Sequence, residues 1–157
     1  MRFTILGLAG LLAVSACRQG GMMHAPAAPE GFRYASASPD CAPWDGRAIT
    51  VLLSDRAGTD SGGISGDQRP LVRVSIYPRS ASVGGQSYAW PADPQAGSAM
   101  RCLAGAECQS ATRGIVTITN TLPDSVVLGS VQLHFADGSG ITGGFRARWI
   151  ERRVLCG

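Results

Sequence analysis

Ser130-Val131-Gln132-Leu133-His134-Phe135 leads through Asp137-Gly138-Ser139-Gly140 to Phe145-Arg146-Ala147-Arg148-Trp149. In the first run Val131, Leu133 and Phe135 alternate with polar neighbours, and in the last Phe145, Ala147 and Trp149 alternate with arginines. A period of two is the signature of a strand with one buried face. Asp-Gly followed by Ser-Gly supplies residues that tolerate the backbone of a tight reversal. Together they read as a β-hairpin. Gly114 to Thr121, rich in Ile, Val and Thr, extends it to a three-stranded meander over residues 114–155.

Working outward, the same period recurs. Ile49, Val51 and Leu53 alternate with Thr50, Leu52 and Ser54, and Val72, Val74 and Ile76 alternate with Arg73, Ser75 and Tyr77. A further short strand covers Gln86 to Trp90 and stops at Pro91-Ala92-Asp93-Pro94. No apolar stripe of helical period runs longer than two turns, and 21 glycines and nine prolines favour strands and turns. The expected fold is all-β: an antiparallel β-sandwich or small β-barrel of about six to seven strands. The folded domain is expected over 41–157.

The five cysteines are Cys17, Cys41, Cys102, Cys108 and Cys156. Four of them suit two disulfides in an extracytoplasmic domain. Three pairings are open, and the preferred one is Cys102 with Cys108 and Cys41 with Cys156. The first closes a short loop around Gly105, and the second staples the start of the domain to its end. In the loop-entropy model these contribute about 2 and nearly ~5 kcal/mol. The Cys102–Cys108 spacing is not C-x-x-C, which argues against redox or metal chemistry.

The fifth cysteine has a different setting. Residues 1–16 carry Arg2, then an apolar run of 12 residues from Phe3 to Val14, then small residues. That is the profile of a secretory signal and is too short to span hydrocarbon, which takes about 20 residues. Val14-Ser15-Ala16-Cys17 resembles the lipobox of bacterial lipoproteins. The resemblance implies cleavage before Cys17, lipidation of its thiol and acylation of the new amino terminus. Several acyl chains make a stable anchor. Arg18, where an aspartate marks inner-membrane retention in that family, implies the outer membrane, facing the periplasm. Residues 17–40, with Gly20-Gly21 and the Ala25-Pro26-Ala27-Ala28-Pro29 run, then read as a flexible tether. The stretch from Gly143 to Trp149 and the terminal Cys156-Gly157 also resemble endings of small envelope lipoproteins of unassigned activity.

Catalytic motifs fail on their chemistry. Asp60-Ser61-Gly62-Gly63 resembles the nucleophile segment of trypsin-like proteases, but the chain has two histidines, His24 in the tether and His134 near the end. Gly63-Ile64-Ser65-Gly66-Asp67 lacks the last glycine of a nucleophile elbow. Asp55, Asp60 and Asp67 do not follow the calcium-loop spacing, and Met22-Met23-His24 stands alone in the tether. No enzyme, cofactor or metal site is expected. A net charge of +3 gives no reason to expect nucleic acid. Arg146, Arg148 and Arg152 are the candidate anion-binding patch, because guanidinium forks match phosphate and carboxylate. The functional expectation is an envelope-anchored, non-catalytic β-domain that binds a protein, glycan or lipopolysaccharide partner. The alternative is an inhibitor of a lytic enzyme or protease that presents the 102–108 or 55–69 loop.

Overall fold

The computed structural model describes residues 28, 29, 31–56, 70–80, 82–122 and 126–157. These residues form eight strands and no helix. They are β1 (Tyr34–Cys41), β2 (Arg47–Ser54), β3 (Leu71–Ile76), β4 (Gln86–Trp90), β5 (Gly97–Cys102), β6 (Cys108–Leu122), β7 (Val126–Phe135) and β8 (Gly140–Trp149).

Seven of the strands close into a barrel in the order β6-β5-β3-β2-β1-β8-β7, with β7 returning to β6. Between sandwich and barrel, the chain is a barrel. An odd ring cannot alternate direction all the way round, so one neighbouring pair has to run parallel. That seam is β1–β8, with Ser36 beside Arg148 and Ala37 beside Trp149. The chain then continues along β1: Ile150 N–H donates to Ala37 O at 2.7 Å and Arg152 Nε–H to Pro39 O at 2.9 Å. The Cys41–Cys156 disulfide fastens the far end of the same seam. The Cys102–Cys108 disulfide bridges paired positions of the β5–β6 hairpin. Both bridges are those the spacing favoured.

The eighth strand, β4, shares an edge of β6 with β5. β6 pairs with β5 over Cys108–Ser110 and with β4 over Gly114–Ile118. Between the two partners lies a register shift at Thr112 against β7, which turns Arg113 outward and Gly114 inward. The edge of β6 is therefore forked.

Alternation puts Val51, Leu53, Val72, Val74, Ile76, Val116, Ile118, Val131, Leu133 and Phe145 inside, all essentially without exposure. The interior is filled by these side chains. Gly129 makes the room that Phe145 occupies, since a Cβ there would lie 2.7 Å from Phe145 Cζ. One end is closed by a charged residue. Arg101 shares the inward face of β5 with Ala99, and its guanidinium lies 4.3 Å over the Phe135 ring with 12 % of the side chain exposed.

Two expectations shift. The domain starts before Cys41, because residues 34–41 are β1, paired with β2 along their whole length. Ala28 and Pro29 are buried, and Phe32 packs on the core. The apolar faces there are small alanines, which carry little periodic signal. The second shift is β5, which stands where only a disulfide loop was expected, and the meander's first strand begins at Cys108, not Gly114.

Candidate functional site

The fork in β6 shapes a depression of about 460 Å³ on the outer face of the barrel. Arg113, Gln132 and His134 project into it from β6 and β7, where Arg113 pairs with His134 and Ile115 with Gln132. Its apolar wall is Ile115, 46 % exposed, together with Pro91 and Ala92 beyond the end of β4. Trp90 forms the base. It is 8 % exposed, and its buried indole Nε1–H has no partner among the described residues. The indole lies flat on the strand backbone because position 114 is glycine: a Cβ there would sit 2.6 Å from Trp90 Cη2.

Two polar clusters elsewhere are architectural. Arg101 donates through Nη1 to Ser139 Oγ (2.6 Å), through Nη2 to Asp137 Oδ2 (2.9 Å) and also to Gln109 Oε1. Ser139 in turn donates its hydroxyl and its N–H to Asp137 Oδ1. Hydrogen bonds from Ser139, then the bond from Arg101, hold the Asp137 carboxyl down at about 2. The effect is to pin the β7–β8 turn across the barrel end. Asp40 is the second centre. Burial pushes its carboxyl up, but hydrogen bonds from Thr50 Oγ1 (2.7 Å), Cys41 N–H (2.9 Å) and Arg73 Nη2 (2.6 Å) outweigh it, and the pKa lies below the ordinary value.

The 102–108 hairpin is a locked projection. Its loop residues are exposed, Leu103 to 44 %, while Gly105 takes a φ of +70° and Ala106 N–H donates to Leu103 O. A second exposed feature is Trp44, 50 % exposed and edge-on to Tyr77 at 5.0 Å.

Of the expected arginine patch, Arg146 and Arg148 are exposed, at alternate positions of β8. Arg152 is engaged elsewhere, on Pro39 O and with Nη2 3.7 Å from Asp40 Oδ2. Asp55 is paired with Arg33 at 3.0 Å. Cys17, Met22, Met23, His24, Asp60, Ser61, Ser65 and Asp67 lie outside the described residues. Alternation sets His134 opposite Leu133 and Phe135, but nothing in the sequence joins it to Arg113 and Trp90. Among the described residues no group of three or more His, Cys, Asp or Glu could hold a metal ion, and no helix is long and apolar enough to cross a membrane.

Fold and site together define a disulfide-stapled β-barrel with a filled interior and, on its outer face, a depression that sets three polar side chains beside an apolar wall. Comparison with family models, with curated proteins and with solved structures gives no match for this chain.

Proposed function

We propose that this chain is a lipid-anchored, non-catalytic binding domain of the bacterial cell envelope, held on the outer membrane through Cys17. One observation carries the binding part of this reading. The barrel interior is filled, so recognition falls to the outside, and there the fork depression gathers the outward-facing polar side chains of Arg113, Gln132 and His134 beside an apolar wall. Unused donors held on a rigid sheet are suited to binding a partner with little ordering cost. The anchor rests on the lipobox-like Val14-Ser15-Ala16-Cys17.

The experiment is expression of the full chain and of Cys17→Ala, with labelled-palmitate incorporation, membrane fractionation and cross-linked capture from intact envelopes. Label and membrane retention are expected for the parent and not for the variant. A recurring envelope component should be captured by the parent and lost in a variant carrying Arg113→Gln and Gln132→Ala. Soluble, unlabelled parent chain overturns the anchor, and unchanged capture by the double variant overturns the depression.

A second reading has its own observation. The locked 102–108 hairpin, with Leu103 and Glu107 exposed, has the preorganisation that inhibitory loops need. Full chain assayed against muramidases and serine proteases tests it; inhibition lost in Leu103→Asp supports the inhibitor, and its absence across the panel excludes it.

A further inference from the structure

Arg113, Gln132 and His134 converge on the fork depression, and none of these side chains has a hydrogen-bond or ionic partner among the described residues. The carboxylates that follow these segments in sequence are already engaged. Asp93, just after Ala92, is held by Arg79 at 2.9 Å, and Asp137 is held by Arg101 at 2.9 Å. Arg113 therefore brings a permanent positive charge that neither of them neutralises. A guanidinium can only donate, and amide and imidazole can donate as well. The set asks for a negatively charged ligand rich in acceptor oxygens. Beside it, Ile115, Pro91 and Ala92 offer an apolar wall suited to a short aliphatic group. The volume of about 460 Å³ is in the range of small-molecule sites.

We propose that the fork depression binds a small carboxylate bearing a short aliphatic substituent, with the carboxylate on Arg113 and the substituent against Ile115. This inference rests on the binding-domain reading above and names its ligand chemistry. Two sources supply that chemistry, the free C-terminus of a peptide ending in alanine and the lactyl group of a sugar acid.

The test titrates ¹⁵N-labelled full chain in detergent with N-acetyl-alanyl-alanine, with its C-terminal amide and with N-acetylmuramic acid. The readouts are calorimetry and the indole N–H resonance of Trp90, assigned by elimination with Trp44→Phe and Trp149→Phe. At least one carboxylate is expected to bind saturably and shift that resonance. Arg113→Gln is expected to weaken it tenfold or more, while Arg146→Gln leaves it unchanged. Binding of the dipeptide, with its amide tenfold weaker, assigns the peptide source; binding of the sugar acid alone assigns the other. Gln132→Ala, at an exposed position, gives a second variant should Arg113→Gln fold poorly. No saturable binding, equal binding of dipeptide and amide, or an unaltered affinity in Arg113→Gln each overturn the assignment. Envelope capture that persists when no carboxylate binds removes this ligand while leaving the binding-domain reading standing.

Discussion

Cys41 and Cys156 stand 115 residues apart in the chain and 5.5 Å apart between Cα atoms, bonded across the β1–β8 seam where the barrel runs parallel. The seam has two registered residue pairs, fewer than the antiparallel neighbours, and is the place where ring closure is least supported by strand pairing. The covalent bond thus supplements the ladder where the ladder is shortest. By contrast, Cys102–Cys108 closes a loop of sequence separation 6 inside a hairpin that is already paired.

The two bridges should differ in stability when removed. Replacing Cys41 and Cys156 by Ala is expected to cost up to about 5 kcal/mol, and Cys102 with Cys108 about 2 kcal/mol. At roughly 2–4 °C per kcal/mol for a chain of this size, thermal denaturation should separate the pairs by several degrees. Equal midpoints would remove the seam argument.

Acid should loosen the barrel through Asp137 and Asp40. Both carboxyls are depressed in the folded state, Asp137 to about 2 from 3.8, so their stabilising contribution is present above about pH 4. It is lost as pH falls toward 2, where the native carboxylates take up protons. Asp137→Asn should flatten the fall of the melting midpoint between pH 4 and pH 2. An unaltered profile would show that the Arg101–Asp137–Ser139 cluster adds no acid-sensitive stability.

The β7–β8 hairpin was legible because large apolar residues alternate on both sides of Asp-Gly-Ser-Gly, and Gly138 indeed takes a φ of +81°. β1 was not. Its sequence Tyr-Ala-Ser-Ala-Ser-Pro-Asp-Cys has only Ala37 fully inside, and small residues with serines look like a linker until the register with β2 is known. β5 was hidden for a related reason. Gly97 faces inward under the Trp90 ring, a packing relation that local sequence does not encode. The candidate site was only partly legible. Alternation sets His134 opposite Leu133 and Phe135, but its meeting with Arg113 depends on the register shift at Thr112, and a one-residue slip exchanges the faces of a strand.

Two arginines of the expected anion patch, Arg146 and Arg152, should separate in stability measurements. Arg152 donates to Pro39 O and adjoins Asp40, so Arg152→Ala is expected to cost about 1 kcal/mol. Arg146 projects from β8 into solvent, and Arg146→Ala should fall within about 0.5 kcal/mol of the parent. Denaturant midpoints measured side by side decide the matter. Equal effects would mean that the contact of Arg152 with β1 adds nothing to closure.

Gly114 is the residue on which the candidate site most depends, because Trp90 can lie on the strand only if position 114 has no side chain. An added methyl meets the indole at separations real contacts do not reach, so Gly114→Ala must displace the ring and should cost about 1–3 kcal/mol. Gly84→Ala is the control, since the nearest atom to its added Cβ lies 3.9 Å away. A smaller ring should relieve the clash. In the double variant Gly114→Ala with Trp90→Phe, the two losses should therefore add to less than their sum. The measured coupling is expected to be 0.5 kcal/mol or more, in the range for residues in direct contact. Strictly additive losses would mean that the indole does not rest on Gly114, and the base of the fork depression would have to be drawn differently.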